Sequence, residues 1–372
     1  MPAFAVPPEH ADLRATVRRF LVECSPEAEV RRLMETGTGH DPAVWKRMAG
    51  ELGLQGLIVP TQYGGAGAGR VELGIVLEEA GRALLCAPLF GTVALAATLL
   101  LESDDTEARA RYLPGIAAGD TVATVAVSAA DPARRPPGSG VAAAATAEGW
   151  RLTGEEPYVL DGAAADLLLV PARTPAGLSL FAVDGRLAQR HPLQTVDRTR
   201  RQARVTFADT PGELLGRDGT AGPVLARTLD LAAVALASEQ AGAAAFALER
   251  TVAYAKERVQ FGRPIGGFQA IKHMLADLLL ESESAISAAR WAAAAADEGA
   301  PDLPALASLV RAYCSDAFVR IAADSIQIHG GIGFTWDQAA HLYLRRARTS
   351  AQLLGDPAFH RERYLQRSGA VA

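Results

Sequence analysis

At Arg258, Gln260 and Phe261 a cation, an amide and an aromatic ring are predicted to project together from the end of a helix. Residues Pro223 to Val259 contain almost no helix breaker, and Leu225, Leu229, Leu236, Phe246 and Val252 fall near helical spacing. Gly262, Pro264, Gly266 and Gly267 then stop the helix. A second helix starts at Phe268, with Phe268, Ile271, Leu275 and Leu278 on one stripe. Taken alone, Arg258 has a plainer use, because a cation at a helix C-terminus offsets the negative end of the dipole. A second motif, Ile326 to Phe334, reads I-Q-I-H-G-G-I-G-F. Its adjacent Gly330 and Gly331 let backbone approach a ligand with no Cβ in the way. His329 reads equally well as a helix-end histidine bonded to backbone. His341, Arg345, Arg346 and Arg348 follow on one helix, and such arginine rows are ion-paired or solvated rather than catalytic.

The elements that must position these groups are those of a large soluble chain. The 372 residues suffice for two or three domains, and 49% hydrophobic with 21% charged residues is ordinary for a globular protein. A net charge of -5 provides no basic field for nucleic acid. Cys24, Cys86 and Cys314 lie far apart without a C-x-x-C, so neither a metal site nor a disulfide framework is expected, and a reducing cytoplasm fits. Met1 to His10 lacks the charged and apolar regions of a signal peptide. Leu89 to Leu101 is apolar but short of the roughly 20 residues that span a bilayer, and reads as a buried helix.

Residues 1–118 read as an α-helical domain. Asp12 to Cys24 is amphipathic; Asp41 and Pro42 begin a helix that carries Trp45, Met48 and Leu52 and stops at Gly53. Pro60 to Gly69 is glycine-rich, yet it lacks both the G-x-x-x-x-G-K-[ST] pattern and the strand–G-x-G-x-x-G–helix context of nucleotide loops. Glu78 and Glu79 are expected to be solvated or ion-paired. Residues 119–222 read as a small antiparallel β-barrel or sandwich. Its strands fall at Thr121–Val127, Trp150–Leu152, Tyr158–Leu160, Leu167–Val170, Leu178–Val183 and Ala203–Phe207, and Ala129 to Gly140 is a surface loop. Residues 223–372 form an alanine-rich helical bundle, so the fold class is α+β.

The Tyr254–Asp277 stretch resembles the R-x-x-F-G-x-x-I-x-x-F-Q segment of acyl-CoA dehydrogenases. Pro60 to Gly67 resembles that family's P-x-x-Y-G-G-x-G linker, and Glu78 to Arg82 its E-E-x-x-R segment. The resemblance covers essentially the whole chain. It implies an N-terminal helical domain, a middle β-domain, a C-terminal four-helix bundle and assembly as a tetramer. It also implies that Arg258, Gln260, Phe261, Phe268 and Gln269 contact the pyrophosphate and adenine end of an FAD held mainly by a neighbouring subunit. Gln327, Gly330 and Gly331 take the matching role at its adenosine portion. An acyl-CoA thioester as substrate and an electron-transfer flavoprotein as acceptor follow from the same resemblance, with no nucleic acid or membrane partner.

The reaction needs a carboxylate to take the α-proton while the flavin takes the β-hydride. The usual glutamate, in the family's Y-E-G, falls at Leu354 here. The alternative glutamate, near the start of the long helix, falls at Ala232. Asp230 and Glu239 are the only nearby substitutes. The family's T-E-P-x-x-G-S-D appears as V-S-A-A-D-P-A-R-R-P, leaving Ser128 as its hydroxyl. W-I-[TS]-N-G appears as Tyr158 to Gly162, with Leu160 where a hydroxyl would reach flavin N5. The motifs for a neighbour's FAD are kept and those for a flavin of the chain's own are lost. This pattern resembles the smaller, base-lacking subunits of actinobacterial heterotetrameric steroid-CoA dehydrogenases. It implies an α2β2 assembly with a second acyl-CoA dehydrogenase subunit. Two other readings stand beside it: a self-sufficient homotetramer using Asp230 or Glu239, and a non-catalytic acyl-CoA-binding scaffold. A flavin oxidase or monooxygenase would need oxygen-activating polar groups that the sequence does not suggest.

Overall fold

The computed structural model describes residues 7–128, 137–138 and 140–369. The N-terminal part holds α1 (Pro8–Cys24), α2 (Glu27–Met34), α3 (Pro42–Leu52), α4 (Arg70–Arg82), α5 (Thr98–Glu102) and α6 (Thr106–Ala117). Helix α3 starts as its sequence predicts: the Asp41 carboxylate accepts from Ala43 N at 2.8 Å, Pro42 occupies the first turn, and Gly53 ends it at φ 63°. The apolar stretch expected as a buried helix is one, but Phe90–Ala97 winds as a wider π-helix before α5. Thr92 inside it accepts from Ala123 N and donates to Ala123 O, tying this helix to the first strand.

The middle part contains β1 (Ala123–Val125), β2 (Val141–Thr146), β3 (Gly149–Leu160), β4 (Leu167–Thr174), β5 (Gly177–Asp184), β6 (Gln189–Pro192) and β7 (Gln202–Leu215). Strands β4, β2, β3, β7 and β5 pair in turn, and β5 pairs back onto β4, so the sheet closes into a small barrel. Strands β1 and β6 are added outside it. The expectation of a purely antiparallel arrangement is corrected at two places: β1 and β2 both run parallel to β4. Strand β3 reverses the chain between β2 and β4, which leaves those two pointing the same way. Strand β2 (V-A-A-A-A-T) carries little β-propensity of its own and is extended because β3 pairs with it along its length. Most of the surface loop expected at Ala129 to Gly140 lies outside the described residues.

The C-terminal bundle comprises α7 (Ala221–Glu257), α8 (Gln269–Asp297), α9 (Leu303–His329), α10 (Ala340–Gln352) and α11 (Pro357–Arg367). Between α7 and α8 the glycine- and proline-rich break forms a hairpin, β8 (Val259–Gln260) and β9 (Arg263–Pro264), followed by a turn at Ile265–Gly267. Helix α7 is long and apolar enough to cross a membrane, but it is the bundle's central helix and most of it is buried inside the protein. Alanine and glycine let its neighbours come close. A Cβ on Gly242 of α7 would stand 1.9 Å from Glu78 O of α4, and one on Gly81 of α4 would stand 2.0 Å from Glu239 O of α7. The two glycines thus form a reciprocal backbone contact. Gly242→Ala is therefore expected to destabilise the chain by about 3 kcal/mol, at the upper end for overpacking, measured by denaturant unfolding.

Candidate functional site

The two motifs singled out in the sequence lie at the ends of α7 and α9, and the structure places those ends side by side. The Tyr254 ring stacks on His329 with centroids 4.3 Å apart, and its hydroxyl donates to His329 O at 3.3 Å. One turn earlier, the Thr251 and Ser325 hydroxyls bond at 2.6 Å. His329 is the backbone-bonded histidine of its plainer reading, with Nδ1 2.7 Å from Ser325 O. Burial pushes its pKa below the usual histidine range.

Beyond this join the chain turns outward. Arg258 caps α7 and its carbonyl accepts from Ile265 N at 2.8 Å, which fixes the hairpin against the helix end. Phe261 adopts a left-handed φ of 52° at the hairpin tip and is 93% exposed, edge-to-face with Phe268 at a centroid separation of 6.2 Å. The Arg263 guanidinium covers Phe268 at 4.1 Å. Arg258, Gln260, Gln269, Gln327, Gly330 and Gly331 are exposed. Nothing lies within 4 Å of a Cβ added at Gly330 or Gly331, so bare backbone faces open space. One end of the bundle therefore offers cations, side-chain amides, unshielded backbone and exposed rings. These groups suit the phosphates and flat base of a dinucleotide.

The positions where a base would stand are built differently. Leu354 and Ala232 are buried in one apolar cluster with Val127, Leu160 and Leu225. Leu354 nevertheless keeps a left-handed backbone at φ 59°. Arg311, wholly buried in α9, donates to Leu353 O at 2.6 Å and to Ser350 O, and His360 Nε2 donates to Leu354 O at 3.0 Å. Leu354 borders a cavity of about 260 Å3 whose walls include Val127, Ser128, Leu178, Leu225 and Leu229. Leu160 supplies no hydrogen-bonding group to this region, and Ala129 to Pro136, the rest of the stretch matching the family's flavin-facing motif, lie outside the described residues.

Both candidate carboxylates are engaged elsewhere. Asp230 accepts from Arg367 at 2.7 Å and lies 3.5 Å from Arg363, both on α11. Glu239 is buried among cations, bonded to Arg200 and, at 2.7 Å, to Arg346. Burial alone would raise its pKa, but the charges and hydrogen bonds of Arg200 and Arg346 outweigh it and hold the carboxyl below its usual range. A carboxylate held ionised in this way is a poor proton acceptor. Arg346 also donates to Asp197 at 2.9 Å and to Thr199 Oγ1 at 2.6 Å. Glu78 and Glu79 are buried and paired as well, with Arg14, Arg18 and Arg290. Among the described residues no group of three or more His, Cys, Asp or Glu side chains is placed to hold a metal.

Sequence reasoning missed this interior network, and Asp161 is its least expected member. The residue has a left-handed φ of 53° and is partly exposed, but its carboxyl turns inward beside Gly91, facing Arg200, Arg346 and Glu239. Burial pushes its pKa up to about 7 against the pull of the two arginines. The folded chain then keeps a proton that the unfolded chain releases near pH 4, so this group makes stability fall as pH rises from about 4 to about 7. Asp161→Asn is expected to flatten that slope and to raise stability above pH 7, read from unfolding midpoints across the range.

Residues 7–120 match the acyl-CoA dehydrogenase N-terminal domain and residues 222–368 the acyl-CoA dehydrogenase C-terminal domain. The chain is 37% identical over 351 residues to acyl-CoA dehydrogenase IpdE2 of Mycobacterium tuberculosis, covering 94% of each. Its structure is similar to a chain of the Tcur3481-Tcur3483 steroid ACAD, with TM-score 0.87, 31% identity and coverage of 98% of this chain and 99% of that one. A chain of the ChsE4-ChsE5 complex from Mycobacterium tuberculosis aligns at TM-score 0.89 and 25% identity, over 99% of each.

Proposed function

This chain belongs to the acyl-CoA dehydrogenase family, and from that premise we propose that it is the base-lacking subunit of a two-chain, flavin-dependent acyl-CoA dehydrogenase. The observation that carries the reading is the division of its residues. The exposed face at the ends of α7 and α9 keeps a cation, amides, open backbone and an aromatic ring. The interior positions for a base hold Leu354 and Ala232 in apolar packing. When bound, FAD supplies the acceptor of the hydride.

Arg258 would hold its pyrophosphate, Gln260, Gln327 and the Gly330–Gly331 backbone would bond its adenosine portion, and Phe261 would pack on it with Phe268 and Gln269 behind. The isoalloxazine pocket and the proton-accepting carboxylate would come from the second subunit in an α2β2 assembly. Electrons would leave to an electron-transfer flavoprotein in the cytoplasm. Similarity to a steroid ACAD favours a steroid-derived CoA thioester as the acyl group. The engagement of Asp230 and Glu239 by arginines weighs against a self-sufficient homotetramer.

The test is dye-linked dehydrogenation of acyl-CoA thioesters by the chain alone and with a co-expressed catalytic partner. We expect turnover only from the pair. Turnover by the single chain, abolished by Asp230→Asn or Glu239→Gln without unfolding, would overturn the proposal.

A further inference from the structure

We propose that the cleft between α1, α2, α4, α7 and α10 binds a small amphipathic monocarboxylate. It is separate from the flavin face, since none of its lining residues belongs to the motifs at the ends of α7 and α9, and the inference does not depend on the function proposed above. The cleft has a volume of about 290 Å3, and its walls are apolar: Leu21, Val30, Leu84, Phe246, Leu342 and the ring of Tyr343. A dry apolar cavity of roughly 150 Å3 takes one benzene, so this one accommodates an apolar body of about twice that size. The walls offer little to a polar ligand, because the Tyr343 hydroxyl already donates to Arg82 O at 2.7 Å.

Charged side chains also line the cleft. Arg18, Arg82 and Arg250 stand with Glu27 and Glu79, and Glu249 pairs with Arg82, so three positive groups balance three negative ones. Arg82 lies 4.3 Å from the Phe246 ring centre and Arg250 lies 6.0 Å from it, so two guanidiniums flank the ring that forms the wall. Their carboxylate partners, Glu249 and Glu27, have side chains 56% and 34% exposed. Arg82 grips Glu249 with both nitrogens and Glu27 is shared by Arg31 and Arg250, so an incoming carboxylate enters by exchange with Glu249 or Glu27, which can swing into solvent. Planar guanidiniums suit a carboxylate head, and the apolar walls suit an unbranched or flat tail. Glu79 is held by Arg14 and Arg18, which leaves Arg82 and Arg250 as the anchor.

The probe is octanoate, titrated calorimetrically into the protein in the assembly in which it purifies, with 1-octanol in parallel. We expect saturable octanoate binding at about one per chain, with octanol at least about ten-fold weaker. Arg82→Gln/Arg250→Gln should weaken octanoate by about ten-fold or more and leave octanol unchanged. Ala339→Leu, which enlarges a buried wall residue, should weaken both while thermal unfolding shows the fold intact. No saturation at millimolar octanoate, equal binding of octanol, or unchanged affinity in the arginine variant would each overturn the proposal.

Discussion

Replacing Glu239 by glutamine is expected to destabilise the chain by about 3–5 kcal/mol, the range for breaking one side of a buried ion pair. Glutamine keeps the shape but removes the charge that two interior guanidiniums share. Arg200 and Arg346 are 7% and 2% exposed, so solvent cannot take over. Arg346 retains Asp197, whereas Arg200 loses its hydrogen-bonded carboxylate and keeps the Phe90 ring at 5.3 Å and the facing Asp161. Urea unfolding of the variant reads the cost directly. The sign of the pH effect separates this group from Asp161. Because the folded pKa of Glu239 is lowered, its contribution is fully present above the unfolded carboxyl range and is lost as pH falls through the folded value. Glu239→Gln should therefore lose stability at neutral pH and differ progressively less from the parent in acid. A variant that stays as stable as the parent at pH 7 would remove the structural role assigned to this carboxylate.

Arg258→Ala should leave the fold unchanged and cut flavin retention in the two-chain enzyme by about 10–100-fold. That range follows from roughly 1.5–3 kcal/mol for a hydrogen bond to a charged group. Arg258 is exposed and its side chain has no protein hydrogen bond or ion pair among the described residues, so its removal costs the isolated chain little. Equilibrium dialysis of FAD against the purified pair measures the loss. Arg258→Lys should recover only part of it, since an ammonium keeps the charge but not the planar fork. Unchanged flavin affinity in Arg258→Ala would return this arginine to its plainer use at a helix end.

Local punctuation carried most of the fold into view. The Asp41-Pro42 start, the Gly53 stop and the breakers from Gly262 to Gly267 each act within a few residues, so the elements they bound are readable in the sequence. Closure of the barrel is not local. It rests on β5 returning to β4 and on a single partner pair between β2 and β4, and the alanine-rich β2 gives no periodic signal. The residues of the proposed flavin face are legible because each motif is contiguous, and the structure adds the Tyr254–His329 stack that brings the two motifs together. Glu239 is visible only as a carboxylate on a helix. Its partners lie 39 and 107 residues away, and no spacing rule links Arg200, Arg346, Asp197 and Asp161.

On the function proposed above, this chain lends half of a flavin site to another chain and holds none alone. The most direct test is the flavin content, read from the visible absorption spectrum, of the chain purified alone and after co-expression with a catalytic acyl-CoA dehydrogenase subunit. We expect a colourless single chain and a yellow complex with about one flavin per pair of unlike chains. A single chain that purifies yellow, with about one flavin per chain, would contradict it.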